Sequence, residues 1–158
     1  CIVIWGLFAA LCVLVADQAS KFYVNAELLE NKMGIMYTSF FNVIRAWNTG
    51  VSFSLFNDWG EWGVWALSAF AAIVVVMLLV WMYREKSVFV QVALGFIVGG
   101  AIGNIVDRIR FKAVFDFLDF HIGENHWPAF NVADSFICIG TVLILIYSIY
   151  LSFKKEEQ

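Results

Sequence analysis

Residues 88–107 read VFVQVALGFIVGGAIGNIVD, a run with no charge from Val88 to Val106 that stops at Asp107. A segment of about 20 mostly apolar residues is long enough to cross a bilayer as a helix. Gly95, Gly99 and Gly103 recur every four residues and strip one face of that helix of side chains. A neighbouring backbone can then approach closely, which places this span inside a bundle.

Three further charge-free runs lie outward from it: Ile2–Ala16, Trp62–Tyr83 and Ser135–Phe153. The first is short, but lengthens if Asp17 to Lys21 continue the helix into the interface. A cleaved signal peptide is the alternative for that run; three later spans and the lack of an A-x-A site count against it. The expected architecture is an α-helical membrane protein in one integral membrane domain, 1–158, with spans near 2–21, 62–83, 88–106 and 135–153.

Composition agrees: 62% of residues are hydrophobic and 15% charged, against about 45–50% and 25% in soluble domains. A disordered tail and a disulfide-stapled secreted domain are excluded. With a net charge of −3 and no more than two adjacent basic residues, so is a basic nucleic-acid binder. Cys1, Cys12 and Cys138 form no C-x-x-C pair and read as small buried apolar side chains. The chain starts without Met, which reads as trimming or processing, so Cys1 carries no inference.

Four spans put both termini on one side. Basic charge near span ends in short loops sets orientation. That places the 84–87 turn (Arg84, Lys86) and Lys154/Lys155 in the cytoplasm, although Lys32, Arg45, Arg108, Arg110 and Lys112 lie on the other side. The connections near 25–61 and 107–134 then face outward. Trp59, Trp62 and Trp65 at one end of the second span, with Trp81 and Tyr83 at the other, read as interfacial anchors. Between spans 1 and 2, residues 35–56 predict a small extracytoplasmic antiparallel sheet. Tyr37, Phe40, Phe41, Val43, Ile44 and Trp47 are strand formers, Asn48-Thr49-Gly50 signals a turn, and Ser52–Phe56 alternates. Such a sheet is either a cap over the helices or a platform for an extended peptide.

Five of the thirteen acids interrupt or end apolar stretches: Asp17, Asp107, Asp116, Asp119 and Asp134. An ionisable group near the hydrocarbon costs about 2.5–3.5 kcal/mol at a helix centre, so each is a functional candidate. Asp107 ends the third span and Asp134 begins the fourth, so both reach the same membrane face. Each follows an Asn by three residues, Asn104 and Asn131, a spacing that puts amide and carboxyl on one helical face. Two such N-x-x-D units facing each other would form a carboxyl pair sharing one proton, able to activate water without metal or nucleophile. The plainer reading pairs Asp107 with Arg108 or Arg110 and makes Asp134 a helix cap. His121 and His126 lack zinc-ligand spacing, and no G-x-S-x-G elbow or phosphate loop occurs.

Taken together the residues resemble the bacterial lipoprotein signal peptidase family, signal peptidase II, over nearly the whole chain. The matching blocks are Asp17-x-x-x-Lys21, Asn48-Thr49-Gly50-Val51-Ser52-Phe53, Gly103-Asn104-Ile105-Val106-Asp107-Arg108, Val114-Phe115-Asp116-Phe117, and Trp127 through Ser135. The resemblance implies an intramembrane aspartic endopeptidase that cuts diacylglyceryl-modified prolipoproteins before the lipidated cysteine. It implies no metal or other cofactor, a multi-pass place in the bacterial inner membrane, and an active site at the outer face. The matched positions imply Asp107 and Asp134 as the catalytic pair, supported by Asn104 and Asn131. Asn48, Arg108, Asp17, Lys21 and Asp116 would then belong to the substrate pocket or scaffold. The expected partners are the prolipoprotein and membrane lipid, with the substrate's lipid between helices, globomycin as a competing inhibitor, and a monomer as the working form. In the implied mechanism the β loop and Asn48 hold the substrate backbone extended, one Asp deprotonates water and the other protonates the carbonyl. Lys112 stands where glycine is frequent in the family, Phe115 where valine is usual and Ser52 where alanine is common, which puts loop shape and substrate preference in question. A proton-coupled transporter or small channel is the competing class; it predicts acids near mid-span on broken helices and some repeated halves. A non-catalytic partner subunit would leave the two N-x-x-D units without a role.

Overall fold

The computed structural model describes residues 3–50 and 60–156. Helix α1 (Ile4–Tyr23) runs into a π-helical turn (Val24–Leu28), followed by strands β1 (Gly34–Met36) and β2 (Phe41–Asn48). Helices α2 (Gly60–Arg84) and α3 (Val88–Phe111) come next, then β3 (Val114–Ile122), β4 (Asn125–His126) and α4 (Val132–Glu156). Four helices are long and apolar enough to cross a membrane among the described residues. The Ser52–Phe56 alternation and Trp59 lie outside the described residues.

Helix α3 is the centre of the bundle, packed against α1, α2 and α4. Its glycine face meets α1: a methyl group at Gly95 would strike the Gly6 carbonyl oxygen, and one at Gly99 the Ala10 carbonyl oxygen. These are backbone contacts that cannot yield, so close approach is what the glycines secure. Around this seam Ala10, Val75, Met82, Val90, Leu94 and Val98 form the interhelical core. The outer faces of α2 and α4 stay apolar and uncovered, with Phe70, Ile73, Met77, Val142, Leu145 and Ile149 exposed. In a bilayer such faces need no protein cover. The same physics corrects the cysteines, for Cys12 and Cys138 are both exposed rather than buried. A thiol among lipid chains has no reason to turn inward.

Both long connections build one four-stranded antiparallel sheet, ordered β1-β2-β3-β4. The sheet is thus wider than residues 35–56 alone suggest, because β3 from the 3–4 connection pairs with β2. Tyr37 and Phe40 fall in the β1–β2 turn, where Tyr37 and Thr38 N–H groups donate to the Phe41 carbonyl. Beneath the sheet Val24, Leu29, Val43, Phe115 and Phe117 form a second core against the end of α1.

The β2–β3 register slips between Val43 and Ala46: Val43 faces Leu118, but Ala46 faces Asp116 and Asn48 faces Val114. One extra β2 residue in that stretch is a bulge, which reverses which side chains share a face. Asn48 therefore lands on the face of Asp116, where simple alternation from Phe41 would turn it away. Arg45 in this stretch is pinned outside the ladder, donating to Asn25 Oδ1 (2.6 Å) and to the Asn25 and Leu29 carbonyls.

Helix α3 ends at Lys112 in the left-handed conformation (φ 59°), which explains why glycine suits this position. Its ammonium lies 3.9 Å from the Trp65 ring centroid, a cation–π contact that offsets part of the backbone strain. The tight reversal lets β3 start at Val114, directly after the helix.

Replacing Gly99 by Val removes a glycine's helix penalty of roughly 0.5–1 kcal/mol but forces α3 off the Ala10 backbone. Overpacking of about 1–3 kcal/mol is the larger effect, so thermal unfolding in detergent should show a net loss of stability.

Candidate active site

At the sheet end of the bundle a buried ammonium organises three segments. Lys21, in the last turn of α1, lies 2.8 Å from Asp17 Oδ2, 2.8 Å from Asp107 Oδ2 and 3.1 Å from Asn104 Oδ1. Asp17 and Asp107 are buried as well. Gly103 makes room for this cluster, since a methyl group there would sit 2.5 Å from Asp17 Oδ2. Gln18 closes the cluster, donating to Asp107 Oδ1 at 3.0 Å. Each acid also holds backbone: Asp17 Oδ1 accepts from the Ala133 N–H (2.9 Å), Asp107 Oδ2 from the Phe115 N–H (3.2 Å). Asp17 thereby meets an N–H at the start of α4, where a helix favours negative charge.

On the other side of Asn104 lies a cleft of about 110 Å³, lined by Asn48, Gly50, Asn104, Arg108, Val114, Asp116 and Asp134. Asp116 reaches it from β3 and Asp134 from the first turn of α4. Two amides hold Asp116: Asn131 Nδ2 donates to Oδ1 (2.7 Å) and Asn48 Nδ2 to Oδ2 (3.2 Å). Asp134 accepts from Asn104 Nδ2 (2.8 Å) and from the Asn131 N–H (3.2 Å), while its own N–H donates to Asn131 Oδ1 (3.0 Å). That reciprocal Asn131–Asp134 exchange is a capping box at the α4 N-terminus. Burial first, and then the charge of Asp134, push the Asp116 carboxyl up to about 7; the Asn48 and Asn131 amides and Lys21 pull the other way.

The structure sets the acids of the two N-x-x-D units apart. Asp107 does not share the cleft: it lies across Lys21, in a separate small recess with Gln18, Asn25, Trp47 and Phe115. Nor does it pair with Arg108 or Arg110; its ion-pair partner is Lys21. The units also do different jobs. Asn131–Asp134 caps a helix, whereas Asn104 turns from Asp107 to bridge Lys21 and Asp134. Asn48, expected to hold the substrate backbone, donates to Asp116 and accepts from the Gly50 N–H (3.0 Å). Arg108 does line the cleft.

Sequence reasoning placed Asp116 in the substrate pocket or scaffold and not in the pair, although an acid between Phe115 and Phe117 in a strand was a visible signal. It also missed Gln18, which nothing in its spacing announces. Phe115 is buried against Trp47 (ring centroids 5.0 Å apart) and Phe117, so the larger residue serves the core beneath the sheet. The fifth candidate, Asp119, stands apart. Burial pushes its pKa up, but hydrogen bonds with His126 (2.8 Å) and Asn42 (2.9 Å) outweigh that and hold it below the usual carboxylate range. His126 in turn stacks on His121. No group of three or more metal-ligating side chains occurs among the described residues.

Comparison with known proteins gives consistent results. The family described as signal peptidase (SPase) II matches residues 9–150. The lipoprotein signal peptidase of Nitrobacter hamburgensis is 39% identical over 151 residues, 92% of each chain. That of Methylorubrum extorquens is 42% identical over 146 residues, covering 91% of this chain and 85% of the other. A solved bacterial membrane enzyme at 26% identity superposes with a TM-score of 0.79 over 97% of this chain and 92% of its own. A second bacterial membrane enzyme gives 0.74 at 27% identity over 90% of each.

Removing one partner of a buried ion pair strands the other charge and costs about 3–5 kcal/mol. Lys21→Met, which leaves Asp17 and Asp107 facing each other, should therefore lower unfolding free energy in detergent by about that amount. Adding Asp107→Asn should recover part of it.

Proposed function

The chain belongs to the signal peptidase II family, and from that premise we propose that Asp116 and Asp134 are its reacting carboxyl pair. It is an aspartic-type peptidase that removes signal peptides in lipoprotein processing, and a multi-pass protein of the bacterial inner membrane. The observation that carries the assignment of the pair is the shared cleft, where two carboxyl groups from different segments meet and each is held by amide hydrogens. Acids at one end of the bundle, rather than at mid-span, weigh against the transporter reading.

The resting proton is assigned to Asp116, whose carboxyl is pushed up to about 7 by burial and then by the charge of Asp134. Asp134 is then the base, facing the Asn104 amide and the α4 N-terminus. A water between them loses a proton to Asp134 as its oxygen attacks the peptide carbonyl carbon, and Asp116 protonates the carbonyl oxygen. Collapse of the tetrahedral intermediate breaks the C–N bond. Asp134 passes its proton to the departing amine, and Asp116 recovers its own from the hydroxyl. Arg108 adds positive charge to the cleft, and Asp17, Lys21 and Asp107 serve as the scaffold.

The substrate is a prolipoprotein whose cysteine carries diacylglycerol, cut on the amino side of that cysteine. Its lipid lies along the helices and its backbone reaches the cleft beside the sheet. Fixing the lipid in the bilayer contributes much of the barrier reduction by presenting the scissile bond in one geometry. Basic residues in the 84–87 turn and at Lys154/Lys155 support an outward-facing active site. One integral membrane domain carries the four spans, and the working form is a monomer. Globomycin competes for the same cleft.

Purified protein should cut the diacylglyceryl-modified substrate and leave the same peptide without lipid intact. Asp116→Asn and Asp134→Asn should each lower kcat by about 10²–10⁴-fold or more in a protein that still folds. Asp107→Asn should cost stability and retain more cleavage per folded molecule than either. The reverse ranking, with Asp116→Asn the more active, would sink the assignment. Because the proton on Asp116 is lost as pH rises through about 7, turnover should fall on that alkaline side while binding of lipidated substrate persists.

A further inference from the structure

We propose that Lys21 is a positioning residue for the reacting pair: by fixing which way round the Asn104 amide sits, it assigns Asp134 the role of base. The inference rests on reading Asp116 and Asp134 as that pair. An ammonium can only donate, so the Asn104 atom 3.1 Å from Lys21 Nζ must be its oxygen. The opposite end must then be the NH2 group, and it lies 2.8 Å from Asp134 Oδ1. An amide's orientation is ordinarily a matter of its whole hydrogen-bond network; here one charge dictates it. Lys21 is itself held from two sides, by Asp17 on its own helix and Asp107 on α3, each at 2.8 Å.

The lock extends one residue further. Asn131 Nδ2 also donates to Asn104 Oδ1 (3.2 Å), which leaves Asn131 Oδ1 for the Asp134 N–H (3.0 Å) and points an N–H at Asp116 (2.7 Å). Were Asn104 reversed, its NH2 would face the ammonium and the Asn131 NH2, and its oxygen would face the Asp134 carboxyl. Three repulsive contacts would replace three hydrogen bonds. An oxygen beside Asp134 suits only the protonated acid, so reversal would exchange the roles of the two carboxyls. Lys21 thus keeps Asp134 in the setting of a proton acceptor from the far side of Asn104. Around this chain the charged groups are Asp17 and Asp107 on Lys21, and Arg108 in the cleft with Asp116 and Asp134.

The test uses the full chain in detergent with diacylglyceryl-modified substrate, and Asp107→Asn as the reference so that charge stays balanced. Adding Lys21→Met to it should lower kcat about 100-fold with KM changed less than about threefold. It should also move the alkaline limb of kcat, near pH 7, to higher pH, because Lys21 holds the Asp116 carboxyl down. Lys21→Arg, which can still only donate, should leave that limb in place. Ile144→Ala, which thins the helix core, should lower the melting temperature without moving the limb. A folded Lys21→Met/Asp107→Asn protein with the reference kcat and an unmoved limb overturns the lock, as does a folded Lys21→Arg protein that behaves like it. If Asp134→Asn keeps full turnover, the pair itself is wrongly assigned and the lock falls with it; if Asp134→Asn is inactive and the limb stays put, only the lock falls.

Discussion

A single ammonium buried at the membrane interface constrains this molecule more than any other group. Lys21 is enclosed, and an enclosed charge must be paired and hydrogen-bonded or it destabilises the fold. Asp17 and Asp107 supply the charge and Asn104 the remaining acceptor. Because these partners come from α1 and α3, and Asp17 also holds the Ala133 N–H of α4, satisfying one cation brings three helix ends into register. The carboxyl pair is placed as a consequence: Asp134 sits in the turn that Asp17 anchors, and Asp116 follows the reversal that Asp107 holds through Phe115.

The two kinds of acid in this region differ by what surrounds them. Asp17 and Asp107 face a lysine and serve as structure. Asp116 is buried and faces another carboxyl across a cleft, and these two causes push it up to about 7 against the pull of its amide donors. The five acids therefore divide into a pair held by Lys21, the proposed reacting pair and Asp119, which is held by Asn42 and His126 at the sheet.

The membrane decides the rest of the packing. With lipid rather than water around α2 and α4, apolar area does not drive those faces together. Cohesion falls on close backbone contact, and so the glycine face of α3 matters more than the size of any core side chain. The sheet has a different logic, since its core of Val24, Leu29, Val43, Phe115 and Phe117 is packed as in a soluble protein.

From sequence alone the four apolar runs, the glycine spacing in 95–103 and the family blocks were legible, because span length and helical period are local properties. The capping box at Asn131–Asp134 was readable too, as an Asn three residues before an acid at a helix start. What spacing could not reveal was partner choice. Two N-x-x-D units look alike, yet one caps a helix and the other is split between Lys21 and Asp134, because ion pairing depends on which helix lies next to α3. The bulge between Val43 and Ala46 is equally invisible, and it alone turns Asn48 toward Asp116. The sequence determined how many segments cross the membrane and which residue types stand at their ends. The tertiary structure decided which acids meet, since Asp107 and Asp116 are nine residues apart in one chain but lie on opposite sides of Asn104.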